Sequence, residues 1–289
     1  MNHSIHLSPA KINWFLHVTG QRADGYHTLE TVFQRIDWCD ELHIQPDADG
    51  KIQLSGDLCG VTDTHNLAYR AAQALQQHAR AQGIATHHLG ARIHLIKHIP
   101  TGAGLGGGSS NAATVLRVLN EAWGLHVDNP TLQAIGLTLG ADVPFFVSQY
   151  AAAFAQGVGE TLQALNLDSR DLLLVNPNTH VNTGAVFSHP DLPRHHAPLT
   201  DSLGALQTQL SLSPFHNSHS NDLEVVTFAV SPEVKAVYDA LQPLAPTRMS
   251  GSGATVMACP NDEAQHQALR EWTGHCPPHW QFRWVKTTA

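Results

Sequence analysis

The stretch Ile99 to Ala113 reads I-P-T-G-A-G-L-G-G-G-S-S-N-A-A and holds five glycines in seven consecutive positions. Inside regular structure each glycine costs roughly 0.5 to 1 kcal/mol against alanine. Gly102, Gly104, Gly106, Gly107 and Gly108 therefore mark a backbone that something approaches closely. Upstream, Ala91 to Ile99 alternates Ile93, Leu95 and Ile99 with Arg92, His94 and His98, which predicts a strand. Downstream, Ala112, Val115, Leu116, Leu119, Ala122 and Trp123 recur at helical spacing, Ser109 or Ser110 is placed to cap the start, and Gly124 ends the run. The glycines thus join a strand to a helix N-terminus.

Such a terminus presents unpaired N–H groups and about half a positive charge, and glycines let a polyphosphate lie against them. The loop reads as a phosphate cradle rather than a flexible linker, since linkers seldom sit between a patterned strand and a capped helix. It is not a Walker A loop, because no Lys followed by Ser or Thr closes the glycines. Gly102, Gly104 and Gly107 spell G-x-G-x-x-G, but the second strand and acid of a dinucleotide fold are missing: His126 and Val127 lead straight into Asp128-Asn129-Pro130.

A chain of 289 residues with 42% hydrophobic content buries a sizeable core in one large or two modest domains. Its net charge of -8 argues against a nucleic-acid surface, so any phosphate site depends on local N–H groups and a few cations. Cys39, Cys59, Cys259 and Cys276 form no C-x-x-C pair, and no leader or long apolar run is seen, which predicts a soluble cytoplasmic protein with reduced thiols. The histidine pairs His87 with His88, His195 with His196 and His216 with His219 lack metal-site context and read as solvated.

Along the chain, Lys11 to Val18 alternates, so Lys11 and Asn13 point the same way, either into solvent or toward one ligand. A turn with Asp24-Gly25 at its tip precedes Tyr26 and His27; Thr28 to Ile36 and Glu41 to Ile44 read as separate strands, and Asp49-Gly50 as a hairpin turn before Lys51 to Leu54. Asn66 to Gln82 reads as a helix striped by Leu67, Ala71, Ala74, Leu75 and His78, and Pro130 to Leu139 as another. Asp142 is the only charge between Asp128 and Glu160; among Val143, Phe145, Phe146 and a proline expected to hold Val143 extended, it is either a backbone cap or a functional acid. From about residue 161 the pattern restarts, with a strand at Leu172 to Val175, a Pro- and His-rich loop from His189 to Pro198, and helices starting at Ser231-Pro232-Glu233 and Asn261. Between those helices Met249-Ser-Gly-Ser-Gly-Ala-Thr-Val-Met257 is a second glycine turn, either a plain hairpin or a closure over a ligand.

Pro100 to Ala113 resembles the phosphate-binding motif of the GHMP kinases, which act on galactose, homoserine, mevalonate and phosphomevalonate, and Met249 to Met257 resembles their C-terminal glycine motif. Pro9-Ala-Lys-Ile-Asn13, Gly20 to His27, Gly104 to Ala113 and Gly140-Ala-Asp-Val-Pro144 are similar, in order and spacing, to the branch of that family serving the non-mevalonate isoprenoid pathway. The resemblance implies an α+β fold of two domains, here 1–160 binding ATP and 161–289, with the active site in the cleft between them. It implies ATP as phosphoryl donor with Mg2+, and 4-diphosphocytidyl-2-C-methyl-D-erythritol as acceptor, phosphorylated on its 2-hydroxyl. Carried over residue by residue, Gly104, Leu105, Gly106, Gly107, Gly108, Ser109 and Ser110 wrap the phosphates, Asn66 and Lys97 lie near the nucleotide base, and Gly251, Ser252 and Gly253 complete the site. Asp142 is the general base and Lys11 its electrostatic partner; Asn13 and Thr183 join them around the polyol, and Tyr26, His27 and Phe187 hold the cytosine. No carboxylate stands out as a metal ligand, which leaves Ser109 or Ser110 with phosphate and water. Two other readings stay open: another kinase of the same family, and a nucleotide-binding module without activity. Oligomeric state is not readable.

Overall fold

The computed structural model describes residues 4–58, 60, 62–215 and 219–289; Cys59 and His216 lie outside them. In chain order the elements are β1 (Ser4–Gln21), β2 (His27–Asp47), β3 (Ile52–Gly56), α1 (Leu67–Ala81), β4 (Gly90–Ile96), α2 (Gly107–Ala122), α3 (Asn129–Leu137), α4 (Val143–Ser148), β5 (Ala152–Gly157) and β6 (Thr161–Leu165). There follow β7 (Asp171–Asn176), α5 (Thr183–Ser188), α6 (Leu203–Leu212), α7 (Glu224–Val230), α8 (Pro232–Leu241), β8 (Thr247–Met249), β9 (Val256–Ala258), α9 (Glu263–Thr273) and β10 (Gln281–Lys286). Among the described residues no helix is long and apolar enough to cross a membrane. The chain forms two compact units, each discontinuous in sequence.

One unit comprises Met1–Ala10, Trp38–Thr101 and Gly106–Tyr150. Its β4 pairs antiparallel with the second half of β2, and Leu42 opposite Leu95 and Ile44 opposite Ile93 set a buried apolar face. On its other edge β4 pairs in parallel with β3, so Asp49-Gly50 turns the chain without making a hairpin. The reason is tertiary: β4 lies between β2 and β3, and the turn packs against the approach to it, where a Cβ on Gly50 would stand 2.6 Å from the His87 carbonyl oxygen. Helix α1 lies against α2 and buries Ala68, Ala71, Ala72, Leu75 and Ala79. This stripe is rotated from the expected one: Ala68, Ala72 and Ala79 are buried in place of Leu67, Ala74 and His78, and small side chains on both helices allow a close approach.

The other unit comprises Lys11–Asp37, Gly102–Leu105 and Ala151–Ala289. In it the first half of β2 pairs antiparallel with β5, and β5 with β6. A second, wholly antiparallel sheet runs β10-β7-β9-β8. Leu173, Val175 and Val256 of that sheet meet Val234, Val237 and Leu241 of α8 in one apolar core. Helices α6 and α7, which have no strong breaker-bounded pattern, were not anticipated from the sequence.

β2 is one strand where two were expected. Asp37 and Asp40 read as breakers, yet each carboxylate accepts backbone N–H groups, from Lys286 in the first case and from His98 and Ile99 in the second. Once paired, they sit in a strand at little cost.

Candidate active site

In the first unit the glycine loop ends on α2, whose cap is Gly106 in the left-handed conformation (φ 69°, ψ 17°) with no side-chain capping bond. Ser109 and Ser110 are therefore not caps but lie inside the first turn, and the buried Ser110 hydroxyl accepts a hydrogen bond from Ser8 Oγ at 2.8 Å. The first-turn N–H groups of a helix have no intrahelical acceptor, which makes this end an anion site. A Cβ on Gly107 would meet Ile99 Cγ2 at 3.0 Å and Lys97 Nζ at 3.2 Å, whereas exposed Gly108 would meet only Leu67 Cδ1, at 3.6 Å. The close approach that glycine permits is thus made by the protein itself at Gly107 and is left open at Gly108.

Lys97 is held there by an ion pair with Asp40. Asp40 is fully buried and also accepts from Asn111 Nδ2 (3.0 Å) and from the backbone N–H groups of His98 and Ile99 (both 2.8 Å). A buried carboxylate so surrounded fixes the entrance to the loop and aims the Lys97 ammonium at the start of α2. Asn66 caps α1, its Oδ1 accepting from Ala68 N at 2.9 Å.

Asp142 is half-buried and immediately precedes α4. Val143 is helical rather than extended, because Pro144 falls in the first turn, where its missing N–H costs nothing. The carboxylate of Asp142 makes no capping bond to α4. A Cβ on Gly140 would lie 3.7 Å from Ser109 Oγ, so the Gly140-Ala-Asp142 segment runs beside the first turn of α2.

In the second unit, β1 carries Lys11 and Asn13 on one face, both buried. Lys11 Nζ donates to Asn13 Oδ1 (2.6 Å) and to the Gly104 carbonyl (3.1 Å). Asn13 Nδ2 donates in turn to Thr31 Oγ1 (2.8 Å), and Thr31 to the Phe15 carbonyl. These bonds hold the ammonium as a fixed point charge. The 250–255 turn between β8 and β9 is a hairpin loop that docks on residues 103–105: Ser250 Oγ donates to Gly104 O (3.1 Å) and Thr255 N to Ala103 O (3.2 Å). Gly104, at φ 75°, is required here because a Cβ would stand 2.2 Å from Ser250 O. Asn221 Nδ2 fixes the same loop through Met249 O and Gly251 O, and Thr183 Oγ1 lies 2.7 Å from Ser252 Oγ.

His27 and Phe187 come together at the other end of α5, their ring centroids 5.3 Å apart and tilted by 30°. His27 is buried, whereas Tyr26 beside it is 65% exposed. Burial, and then the Arg194 guanidinium, lower the pKa of His27.

Thus Lys11, Asn13, Gly104, Gly251 and Ser252 with Thr183 are joined in one unit, as are His27 and Phe187; Lys97, Gly107 to Ser110 and the segment bearing Asp142 are joined in the other. Asp40, Asn111, Ser250, Asn221 and Arg194 were missed. Asp40 carried no such signal as Asp142 did, because Asp37 and Glu41 stand beside it in the sequence. Among the described residues no group of three or more His, Cys, Asp or Glu side chains is arranged to hold a metal ion.

Known proteins share this architecture. The GHMP kinases N terminal domain family matches residues 66–150, and the GHMP kinases C terminal family matches residues 202–278. The 4-diphosphocytidyl-2-C-methyl-D-erythritol kinase of Polynucleobacter necessarius is 40% identical over 282 residues, 96% of this chain and 90% of the relative. That of Burkholderia mallei is 44% identical over 264 residues, 91% of this chain and 88% of the relative. A crystal structure of a 4-(cytidine 5'-diphospho)-2C-methyl-D-erythritol kinase superposes with a TM-score of 0.78 at 32% identity, covering 99% of this chain and 100% of that one. The mevalonate kinase of Methanococcus jannaschii shares the fold at 12% identity, with a TM-score of 0.68 and 100% and 99% coverage. Two domain matches in order, joined to relatives of 40–44% identity over nine-tenths of the sequence, mean that the chain belongs to the 4-diphosphocytidyl-2-C-methyl-D-erythritol kinase family of the GHMP kinases, ATP-dependent phosphotransferases with an alcohol acceptor.

Proposed function

We propose that this enzyme phosphorylates the 2-hydroxyl of 4-diphosphocytidyl-2-C-methyl-D-erythritol in the non-mevalonate isoprenoid pathway, as a cytoplasmic protein acting on neither nucleic acid nor membrane. The observation that carries the substrate assignment is the His27–Phe187 ring pair, a provision for a flat base that a small polyol alone does not need. ATP lies with its phosphates along Gly104 to Ser110 and with its base toward Asn66 and Lys97. An exposed Gly108 at an uncapped helix start supports this, because the protein's own atoms leave that backbone approachable. The cap role of Asn66 leaves its amide nitrogen for the base. Gly251, Ser252 and Gly253 complete the site, Asn13 and Thr183 hold the polyol, and Tyr26, His27 and Phe187 hold the cytosine.

The acceptor is a tertiary alcohol, hardly ionised at neutral pH, and Asp142 takes its proton as it attacks. Lys11, held by Asn13 and the Gly104 carbonyl, meets the negative charge that develops on the alkoxide and the transferring phosphoryl group. Ser109 would hold Mg2+ better than Ser110, whose hydroxyl is buried against Ser8, and with phosphate and water as its other ligands the ion would supply neutralisation of phosphate charge. We assign the family's N- and C-terminal domains to 1–160 and 161–289 in sequence, a division distinct from the two compact units, of which the second takes in Lys11–Asp37 and Gly102–Leu105 and begins again at Ala151.

A panel of acceptors with ATP and Mg2+, scored for ADP, tests the reading. The cytidylated methylerythritol is turned over, whereas methylerythritol 4-phosphate, mevalonate and homoserine are not. Turnover of mevalonate or homoserine instead moves the chain to another GHMP activity, and no turnover of any acceptor leaves a nucleotide-binding module.

A further inference from the structure

We propose that Arg194, in the Pro- and His-rich stretch after α5, is a positioning residue that selects cytosine over uracil by fixing which nitrogen of His27 carries the proton. The proposal rests on the reading of His27 and Phe187 as the base site.

A guanidinium has five N–H donors and no acceptor. Arg194 makes five bonds with them: Nε to His27 Nε2 (3.1 Å), one terminal nitrogen to the carbonyls of Leu192 (3.1 Å) and Pro190 (3.4 Å), and the other to those of Phe187 (3.1 Å) and His189 (2.7 Å). A group tied at all five positions cannot turn away from the imidazole without giving up several bonds at once. Its four carbonyl partners also pin the end of α5, and with it the backbone that presents the Phe187 ring to His27.

Because Arg194 only donates, His27 Nε2 has to present its lone pair, and the ring proton resides on Nδ1. Protonating both nitrogens would set N–H against N–H and a cation beside a cation at a residue that is only 8% exposed. His27 is thereby a pure donor through Nδ1. Cytosine offers an acceptor at N3; uracil offers an N3–H donor at the same place. A ring that can only donate bonds the first and opposes the second. Without Arg194 the imidazole can adopt the other tautomer, whose bare Nδ1 accepts the uracil N3–H. Sites built around a directed hydrogen bond discriminate strongly because a mismatched ligand leaves buried polar groups opposed.

The test uses the full chain. 15N NMR of the imidazoles, with His27 identified by the signals lost in His27→Gln, is expected to show Nδ1–H in the wild type and a mixture containing Nε2–H in Arg194→Leu. Kinetics with the cytidylated acceptor and its uridylated analogue are expected to show at least about a tenfold loss of base preference in Arg194→Leu. KM for the cytidylated acceptor rises, and KM for ATP stays within about twofold. Arg194→Lys, whose ammonium can still only donate to His27 Nε2 but cannot reach all four carbonyls, retains the preference while raising that KM. It carries the kinetic arm if Arg194→Leu does not fold, and loss of the preference in a folded Arg194→Lys counts against the tautomer mechanism. A wild-type His27 protonated on Nε2, or an unchanged preference in folded Arg194→Leu, overturns the proposal while leaving cytosine recognition intact. Equal turnover of the acceptor with and without its cytidyl group overturns the base-site reading and the selectivity drawn from it together.

Discussion

Replacing Gly108 by alanine separates what the glycine loop does for the protein from what it does for a ligand. Three neighbouring glycines are poor probes. Gly106 sits at φ 69°, Gly107 is closed in by Ile99 and Lys97, and Gly104 would drive a Cβ to 2.2 Å from Ser250 O. Any larger residue at these positions disturbs the fold whether or not a nucleotide binds. Gly108 is exposed, lies in the first turn of α2 without a positive φ, and has only Leu67 within van der Waals reach of a new Cβ, at 3.6 Å. Alanine there should stabilise the helix by about 0.5 kcal/mol, the low end of the glycine-to-alanine range because the first turn is only partly constrained. If a phosphate lies on this backbone, the added methyl displaces it and weakens one charge-assisted N–H bond of about 1.5 to 3 kcal/mol, or roughly 10- to 150-fold in Kd. Calorimetry with a nonhydrolysable ATP analogue, paired with a thermal melt, reads both quantities. A variant that melts at or above the wild-type temperature with unchanged nucleotide affinity would remove the start of α2 from the phosphate site. Gly104→Ala is the contrasting control. A left-handed alanine costs about 1 to 2 kcal/mol before the loop at Ser250 is displaced, so stability falls first and affinity only as a consequence.

These expectations differ from what the sequence supports because a glycine's neighbours are set by tertiary structure. The strand–glycine–helix order and the shared face of Lys11 and Asn13 are local patterns, and local periodicity carries them. What approaches each glycine is not local. The carbonyl beside Gly104 belongs to a residue 146 positions away, and the lysine beside Gly107 takes its position from Asp40 in another strand. For the same reason the serines after Gly108 read as caps. Capping propensity favours them, yet left-handed Gly106, three residues before Ser109, had already started the helix. Arg194 gave no signal, since a loop arginine reveals its role only when the five acceptors around it are in place.

Asp142→Asn should keep fold and nucleotide affinity, since the carboxylate caps nothing in α4, and lose about 100- to 10,000-fold in kcat; a near-normal rate would remove it as the base. Phe187→Ala should raise KM for the cytidylated acceptor severalfold or more, by loss of about 1 to 3 kcal/mol of stacking, with KM for ATP unchanged; equal effects on both would make Phe187 a packing residue only. Asp40→Ala leaves Lys97 as a largely buried cation without its partner, and should cost about 3 to 5 kcal/mol in denaturant unfolding; a loss under about 1 kcal/mol would show the pair to be incidental. The last prediction concerns pH and two groups in the second unit that oppose each other. His17 is fully buried, and that burial, helped by His196, His219 and Arg248, lowers its pKa from 6.5 to about 3. The unfolded chain therefore binds the extra proton first, and stability from His17, complete above pH 6.5, is lost as pH falls toward 3. Glu224 is shifted the other way, from 4.5 to about 7, by burial first and by Asp222 in addition, against the Met249 N–H bond and Arg248. Its folded state holds the proton longer, so its stability, complete below pH 4.5, is lost as pH rises through 7. Between pH 4.5 and 6.5 the two slopes have opposite signs and similar size, at most about 1.4 kcal/mol per pH unit each, and nearly cancel. Urea unfolding at pH 4.5, 5.5 and 6.5 should accordingly show Glu224→Gln gaining stability relative to wild type as pH rises, and His17→Gln losing it. The wild type carries neither slope from this pair, so each single variant exposes the group that remains. If both variants instead track the wild type in parallel across that range, neither group titrates differently in the folded and unfolded chains, and burial of this cluster is not what sets the pH dependence.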